Sequence, residues 1–122
     1  MPYIRVSSTK KLSDEQQAAL ISGLGKAIAI MPGKDERGLM VDMEDGKTMY
    51  FGGKKADNLV FLDVRYFSNF EYHIKKNFTV AVLDEVSKVV GTAKDHIFLT
   101  LSEYNTWGGF GGYIDEYYKE QE

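Results

Sequence analysis

Apolar residues follow two different spacings along the chain. Residues 2–8, 39–44, 59–67 and 97–102 are rich in β-branched and aromatic residues or alternate apolar with other residues, which is typical of half-buried strands. Between the first and second of these segments, and between the third and fourth, apolar residues recur every three or four positions, as on one face of a helix. The helical positions are Leu20, Leu24, Ala27, Ile28 and Met31, then Phe78, Val82, Val86 and Val89. Each half therefore predicts a strand, a helix and a strand.

Local signals predict where the helices begin and end. Ser13-Asp14-Glu15-Gln16 has the pattern of a capping box, and Ser68-Asn69-Phe70-Glu71 repeats it in the second half. Pro32-Gly33 and Gly91 are the predicted ends of the two helices. Residues 45–58, rich in Gly, Lys and Asp, predict a turn and a short edge strand near Lys47–Phe51.

The two halves repeat one plan at an offset of 58 residues. The apolar helix positions of the two halves coincide at this offset, and Gly33 coincides with Gly91. One residue of slippage then aligns Phe51-Gly52-Gly53 with Phe110-Gly111-Gly112. We therefore predict a single domain over residues 1–122, with internal repeats at about 2–53 and 60–112.

Two strand-helix-strand units predict an α/β (α+β) fold with one four-stranded sheet. Each crossover connection is expected to be right-handed, which places both helices on the same face of the sheet. The other face is then uncovered, and we expect apolar strand residues to remain exposed there. Self-association is the simplest way to cover them.

Composition excludes several classes of protein. The chain has 122 residues, 15 Lys plus Arg, 18 Asp plus Glu, a net charge of −3 and no Cys. A disulfide scaffold, a thiolate nucleophile and a Cys-ligated metal site are therefore ruled out. Without a basic tract, a broad nucleic-acid footprint is not expected. The N-terminus lacks the pattern of a signal peptide and no apolar stretch is long enough to cross a bilayer, so we expect a cytoplasmic protein that does not bind membranes.

Familiar ligand-binding motifs are not formed. Gly46-Lys47-Thr48 resembles the end of a phosphate-binding loop, but Val41 stands where that loop needs a glycine. His73 and His96 lack the spacing of zinc ligands. We therefore expect neither a metal nor an organic cofactor.

Pro2 carries the candidate chemistry. If Met1 is removed, Pro2 becomes a secondary amine at the N-terminus, and an α-amino group titrates near pH 8 in model peptides. Burial beside aromatic residues and a nearby cation would both disfavour the protonated amine and lower its pKa. Pro2 could then act as a general base at neutral pH. The alternative is that Pro2 only begins an edge strand, and a retained Met1 would make it an ordinary amide.

Several segments, taken in order, resemble a known family. They are Met1-Pro2-Tyr3-Ile4-Arg5-Val6, Pro32-Gly33-Lys34, Tyr50-Phe51-Gly52-Gly53, and Asp95-His96-Ile97-Phe98-Leu99 followed by a loop with Asn, Trp and Gly. With the duplicated strand-helix-strand plan, they resemble the tautomerase superfamily, in its macrophage migration inhibitory factor branch. The resemblance spans about residues 2–112.

The resemblance implies a homotrimer with pockets between subunits. It implies that Pro2 transfers protons and that Lys34 orients a substrate carboxylate or polarises its carbonyl. Phe98 and Thr100 of a neighbouring subunit would form the pocket wall with Trp107 and Phe110. The chain departs from the family at two of these positions, because Phe98 stands where the family often has Tyr and Thr100 where it often has Asn.

The residues by themselves leave other interpretations open. Lys34 could be a cation that complements the dipole at the end of the first helix. Arg37 and Arg65 are candidate second cations or surface residues, and Tyr3, Tyr66 and Phe67 are expected in the core or at an interface. A lone Trp107 among glycines is expected to pack or to line a site.

The expected function is keto-enol tautomerisation of a small 2-oxo acid such as an aryl pyruvate. One alternative is another reaction of the same amine, namely hydration, decarboxylation or dehalogenation of an unsaturated acid. The other is a non-catalytic binding or regulatory protein on the same scaffold.

Overall fold

The computed structural model describes residues 2–115. The strands are β1 (Tyr3–Ser8), β2 (Met40–Glu44), β3 (Tyr50–Phe51), β4 (Lys54–Lys55), β5 (Val60–Phe67), β6 (Ile97–Tyr104), β7 (Thr106–Gly109) and β8 (Gly112–Asp115). The helices are α1 (Asp14–Ile28) and α2 (Tyr72–Val90), with short 3-10 helices at Glu36–Gly38 and Lys94–His96. Met1 and residues 116–122 lie outside the described residues, so the conformation of most of the tail at 113–122 stays open.

Four strands form the main sheet, in the order β2-β1-β5-β6. β1 and β2 are parallel, β5 and β6 are parallel, and the central pair β1 and β5 is antiparallel, with Tyr3 opposite Arg65. This arrangement confirms the prediction of a four-stranded sheet with two helices. Each parallel pair is joined through one helix, as a parallel connection requires.

The core lies between the sheet and the two helices. Alternate residues of β1 and β5 point into it, because successive side chains of a strand face opposite sides. The largest fully buried side chains are Tyr66, Phe78, Ile4, Leu20, Leu24, Ile28 and Met31. Within residues 2–115, no helix combines the length and the apolar composition that a membrane crossing needs.

The open face of the sheet is more polar than we predicted. At its centre, Asp63 accepts hydrogen bonds from Arg5 (Nη2 to Oδ2, 3.2 Å) and Arg65 (Nη2 to Oδ2, 2.9 Å), and the Tyr3 hydroxyl donates to Asp42 Oδ2 at 2.8 Å. The expectation of an exposed apolar face is therefore wrong for this region. Arg5 of β1 and Arg65 of β5 thus form one cross-strand and one same-strand ion pair with Asp63 on the open face.

Exposed aromatic residues cluster at one end of the open face, and Tyr104, which is 40% exposed, lies at the other end. Phe61 and Phe98 are register neighbours on β5 and β6 and are 37% and 40% exposed. Phe51 reaches over from the β3-β4 hairpin, with its ring centroid 5.4 Å from that of Phe98. An apolar surface suited to self-association is thus present in this patch of Phe51, Phe61 and Phe98.

The first capping box is confirmed and the second is wrong. The Ser13 hydroxyl accepts from the Gln16 N–H, and the Gln16 side chain accepts from the Ser13 N–H. Ser68 instead has φ 104°, a backbone conformation that no helix N-cap adopts. Helix α2 begins later, with Glu71 at its N-cap and no side-chain cap.

The two predicted helix ends also differ in outcome. Gly91 ends α2 with φ 80°, and its N–H donates to the Ser87 carbonyl, as predicted. Helix α1 ends at Ile28, one turn before Pro32-Gly33. Pro32 has no N–H to donate to Ile28 and disfavours a helical conformation at the residue before it, so the Ile28 carbonyl accepts from Met31 instead.

The edge strand predicted near Lys47–Phe51 is wrong in length and in pairing. Only Tyr50 and Phe51 are extended, and they pair with β4 as a separate hairpin. Gly52 and Gly53 form its turn with φ 60° and 81°. Positive φ at both turn residues gives the tight turn whose twist matches a two-stranded hairpin, and this favours local pairing over addition to the main sheet.

Candidate functional site

Pro2 is buried at one end of the main sheet, immediately before β1. Its carbonyl accepts a hydrogen bond from the Met40 N–H at 3.0 Å, which ties it to the beginning of β2. Because β5 runs antiparallel to β1, the end of β5 lies beside it, and Arg65 is the register partner of Tyr3. Pro2 is thus held by backbone pairing at the point where several strands begin or end.

An apolar cleft of about 420 Å³ opens on one side of Pro2. Its other lining residues are Tyr3, Gly38, Met40, Arg65, Trp107, Gly108, Gly109 and Phe110. Aromatic and aliphatic side chains dominate the lining, and Arg65 is its one charged residue among those described. Such a lining suits the hydrocarbon or aromatic part of a small molecule.

A second cleft, the polar cleft, also borders Pro2 and has a volume of about 390 Å³. Its other lining residues are Gly33, Lys34, Asp35, Arg37, Gly38 and Phe110. The two clefts share Pro2, Gly38 and Phe110. Pro2 therefore lies where an apolar and a charged compartment meet.

Lys34 is the cation without an ion pair in the polar cleft, counting partners among residues 2–115. Its ammonium lies 5.9 Å from the ring centroid of Tyr66 and 5.7 Å from that of Phe70, within cation–π range. Partial burial lowers the pKa of Lys34, because it disfavours the charged form. An unpaired and partly desolvated ammonium is suited to an anionic partner that enters from solution.

The alternative role of Lys34 as a helix-end cation does not fit the structure. Helix α1 ends at Ile28, so Lys34 follows it by more than a turn, and its side chain rests on Tyr66 and Phe70. The field of a helix dipole acts mainly within the last turn. The placement of Lys34 therefore needs an explanation other than helix stabilisation.

Arg37 and Arg65 both lie next to Pro2, one in each cleft, but each already has a carboxylate partner. Arg37 is 88% exposed and donates to Asp35 through Nε (3.3 Å) and Nη2 (2.7 Å). Arg65 donates to Asp63 through Nε and Nη2 and lies 5.7 Å from the ring centroid of Tyr3. They are candidate second cations, whereas Lys34 has no carboxylate partner among residues 2–115.

Trp107 and Phe110 reach the clefts from the β7-β8 hairpin. Trp107 lies edge-on to Tyr104, with ring centroids 6.0 Å apart. Phe110 stands at the turn with φ 50°, is followed by Gly111 with φ 77°, and is 84% exposed. The fold brings these two residues together with Pro2 and Lys34, which are far from them in sequence.

Phe98 and Thr100 are not part of this group within one chain. Both lie on the open face of the sheet, Phe98 against Phe51 and Thr100 in register with Asp63. Phe98 precedes Ser102, the register partner of Arg65, by four residues of β6, or about 13 Å at the usual strand rise. If they contribute to a pocket with Pro2, they do so from another chain.

Sequence reasoning missed Tyr3 and Met40 as lining residues of the apolar cleft. Tyr3 does not lie in the core but on the open face, and its expected place at an interface stays a prediction. Its hydroxyl donates to Asp42, and this bond raises the pKa of Tyr3. Strand alternation from buried Ile4 could have indicated its direction. Met40 could not be found in this way, because its position follows from the pairing of β2 with β1. Tyr66 is buried in the core, as predicted.

Comparisons with known proteins add evidence on the fold. No protein-family model matches the sequence, and no curated protein matches it. Among solved structures, MIF2 of Leishmania major is 20% identical, covers 93% of this chain and 97% of its own, and has a TM-score of 0.84.

Two further solved structures are similar to this chain in fold. The macrophage migration inhibitory factor of Toxoplasma gondii is 21% identical, with 92% and 99% of the two chains covered and a TM-score of 0.81. Pt0534, described as inactivated by 2-oxo-3-pentynoate, is 16% identical, with 93% and 94% covered and a TM-score of 0.81. This chain therefore has the fold of the macrophage migration inhibitory factors, the fold that the resemblance implied.

Proposed function

We propose that this protein is a tautomerase that interconverts the keto and enol forms of a small 2-oxo acid such as an aryl pyruvate. The observation that carries the proposal is the position of Pro2 between the apolar cleft and the unpaired ammonium of Lys34. An aryl 2-oxo acid has the matching parts, namely an aromatic ring, an acidic carbon in the middle, and an oxo-carboxylate end.

Pro2 is the general base in this proposal, after removal of Met1. Its amine takes a proton from the carbon next to the carbonyl, and the electron pair of that C–H bond moves towards the carbonyl oxygen. The protonated Pro2 amine then returns that proton to the enolate oxygen, which gives the enol and regenerates the base, and the reverse sequence gives the keto form. The chemistry is proton transfer alone, so no metal or organic cofactor is required.

Lys34 stabilises the negative charge that develops on the substrate oxygen, or pairs with the carboxylate beside it. A partly desolvated ammonium is effective here, because charge interactions strengthen as water is excluded. Arg37 can approach the same end of the substrate only by sharing or leaving Asp35. The aromatic ring then lies in the apolar cleft against Trp107 and Phe110.

The active assembly in this proposal is a homotrimer. Phe98 and Thr100 of a neighbouring subunit complete the pocket wall, which agrees with their distance from Pro2 in their own chain. The exposed patch of Phe51, Phe61 and Phe98 supplies an apolar contact surface for that neighbour. A cytoplasmic location and the absence of nucleic-acid and membrane partners stay predictions of the sequence.

The similar protein Pt0534 supports the substrate class, since it is described as inactivated by 2-oxo-3-pentynoate, itself a 2-oxo acid. The same amine could instead serve hydration, decarboxylation or dehalogenation of an unsaturated acid. A non-catalytic binding or regulatory role is the alternative from another class.

The test compares three forms of the protein, checked by intact mass. They are the form that begins at Pro2, a form that retains Met1, and Pro2→Ala with Met1 removed. On phenylpyruvate, the first form should exceed the second by about 10²–10⁴-fold, the usual contribution of a general base. Pro2→Ala keeps a primary amine and should retain part of the activity. Equal rates for the first two forms would rule out the amine as the base.

A further inference from the structure

Glu103 lies on the helix side of β6 and is the register partner of the buried Tyr66 on β5. Its side chain is 18% exposed. One carboxylate oxygen, Oε2, accepts both the Tyr66 hydroxyl and the Phe70 N–H at 2.9 Å, and Oε1 accepts the Lys75 ammonium at 3.2 Å. A single carboxylate thus holds residues of β5, of the loop after it and of helix α2.

Tyr66 and Phe70 are the two aromatic residues beneath the ammonium of Lys34, and we call them the ring shelf. Their own centroids are 5.5 Å apart. Tyr66 is fixed through its hydroxyl and Phe70 through its backbone, in both cases by Oε2 of Glu103. Glu103 thus holds both residues of the ring shelf on which Lys34 rests.

Neighbouring bonds keep the loop of the ring shelf close to Glu103. The Ser68 N–H donates to the Tyr104 carbonyl at 2.9 Å, and Asn69 Nδ2 donates to Asn105 Oδ1 at 2.8 Å. Three consecutive loop residues thus bond to the three consecutive residues 103–105. Among these bonds, those of Glu103 are the ones that reach the ring shelf itself.

The ionisation states favour these bonds at neutral pH. Burial by itself would raise the pKa of Glu103, but the hydrogen bonds from Phe70, Tyr66 and Lys75 outweigh it and lower the pKa. Burial and the bond to Glu103 raise the pKa of Tyr66. Glu103 therefore stays an ionised acceptor and Tyr66 a protonated donor.

We infer that Glu103 is a positioning residue, which fixes Tyr66 and Phe70 so that the Lys34 ammonium is held at the edge of the polar cleft beside Pro2. The role in turnover rests on the proposed function, whereas the role in placing Lys34 does not. Glu103 acts through geometry, since its charge is already balanced by Lys75.

The variants separate geometry from charge. Glu103→Leu removes all the bonds, Glu103→Asp keeps the charge but shortens the reach by one methylene, and Glu103→Gln keeps an oxygen that can still accept from Tyr66 and Phe70. Lys75→Met is the matched control, because it removes the ion pair but leaves the two bonds to the ring shelf. If Glu103→Leu does not fold, Glu103→Asp takes its place.

The first measurement is independent of activity. In protein with ¹³C-labelled lysine, the ε-CH₂ signal of Lys34 should be shifted upfield by the two rings and is assigned by its loss in Lys34→Met. Glu103→Leu and Glu103→Asp should move this signal towards that of an exposed lysine, while Glu103→Gln and Lys75→Met should leave it near its original position. An unchanged Lys34 signal in a folded Glu103→Leu or Glu103→Asp protein would overturn the inference.

The second measurement is a double-mutant cycle on kcat/KM for phenylpyruvate. Glu103→Leu should lower kcat/KM by up to about 10²-fold, the scale of a catalytic group displaced by 1 Å, and Glu103→Gln by much less. In a Lys34→Met background the same substitution should have almost no effect. An equal loss of kcat/KM in the wild-type and Lys34→Met backgrounds would mean that the substitution damages the site independently of Lys34, and it would contradict the inference. If no form turns over a 2-oxo acid, the proposed function fails, while the Lys34 signal still decides the role of Glu103.

Discussion

At the scale of single residues, the candidate site is distinguished by which charges are paired. Arg37 and Arg65 have carboxylate partners within hydrogen-bond distance, whereas Lys34 rests on two aromatic rings. A salt bridge at an exposed site contributes little to stability, although it satisfies both charged groups. Among residues 2–115, Lys34 is the cation of the polar cleft without a carboxylate partner, and the proposed function assigns the substrate anion to it.

Lys34→Ala should lower kcat/KM for a 2-oxo acid by about 10²–10³-fold, the scale of a lost oxyanion donor, with little change in melting temperature. The matched control is Lys26→Ala, which removes an exposed lysine in the last turn of α1. That control should cost roughly 0.3–1 kcal/mol of stability and no activity. Replacing the acid substrate by its ester should lower the kcat/KM of the wild type strongly, and it should lower the kcat/KM of Lys34→Ala far less. Full turnover by Lys34→Ala would move the role to Arg37 or Arg65.

The lowered pKa of Lys34 predicts two pH effects. The ammonium loses its proton at a lower pH than an exposed lysine, so the alkaline limb of the kcat/KM profile should begin below the ordinary lysine pKa of about 10.4. Because the unfolded chain binds that proton more tightly, the unfolding free energy of the wild type should rise relative to Lys34→Met as pH increases through this window. Denaturant titrations of both proteins from neutral pH up to the ordinary lysine pKa check the sign. A relative fall in stability would contradict it.

At the scale of elements, the residue type suits the backbone conformation at some helix and hairpin ends and not at others. Ser13 caps α1 with a reciprocal pair of hydrogen bonds, whereas Ser68 and Phe110 hold positive φ angles that side chains rarely adopt. Residues in such conformations persist only where the surrounding structure holds them, and they are frequent at functional sites. Each of the two cases yields a test.

Ser13→Ala and Ser68→Ala should have different effects although their sequence contexts look alike. Ser13→Ala should lower the unfolding free energy by about 0.5–2 kcal/mol, because it removes a cap. Ser68→Ala should lack that loss, and Ser68→Gly should be more stable than Ser68→Ala by about 1 kcal/mol, because glycine adopts φ 104° without a steric cost. Urea unfolding midpoints measure the differences. A similar loss of unfolding free energy in both alanine variants would indicate that Ser68 caps α2 after all.

Phe110→Asn should separate conformational strain from function. Phe110 and Gly111 form a turn with positive φ at both positions, for which Asn-Gly is a preferred sequence, and Phe110 is 84% exposed. The variant should therefore melt at the same or a higher temperature, while KM for an aryl pyruvate rises several-fold. Tyr113→Thr removes another exposed aromatic residue from the same hairpin and should leave KM unchanged. A loss of stability without a change in KM would assign Phe110 a structural role.

At the scale of the whole molecule, the distribution of exposed aromatic residues suggests how copies associate. Pro2 and the two clefts lie at one end of the sheet, and the patch of Phe51, Phe61 and Phe98 lies at the other end of its open face. A neighbour that brings its own patch towards the Pro2 end would complete the pocket and cover the aromatic rings together. Assembly and activity are therefore expected to be linked.

Light scattering at micromolar concentration should give about three times the chain mass of 13.8 kDa. Lys34→Ala and Phe98→Ala should each be weakly active alone. In either oligomer every site lacks one of the two side chains, Lys34 from one subunit or Phe98 from its neighbour. Mixed oligomers from co-expression should regain activity, since some sites then combine an intact Lys34 with an intact Phe98. A monomer, or a mixture no more active than its parts, would exclude the shared pocket.

The sequence by itself determined the strands of the main sheet and the two helices, and it indicated the candidate site residues. Apolar spacing predicts the four strands of the main sheet, because alternation and helical repeats are local consequences of backbone geometry. The Ser13 cap and the Gly91 end were predictable for the same reason. Pro2 and Lys34 were recognisable as candidates because their chemistry depends on residue type and on the resemblance of their segments to a known family.

Tertiary structure decided which side chains and segments contact one another. Ser68 has the same local sequence signal as Ser13, but the bonds of its loop to residues 103–105 impose another conformation. Glu103 had no signal in the sequence, since its partners lie on three different elements. The ring shelf beneath Lys34 and the cleft beside Pro2 likewise arise from contacts between segments distant in sequence, whereas Arg37 and Arg65 each pair with an aspartate two residues away. Local patterns cannot encode such contacts, because they depend on strand register and on the burial of one element against another.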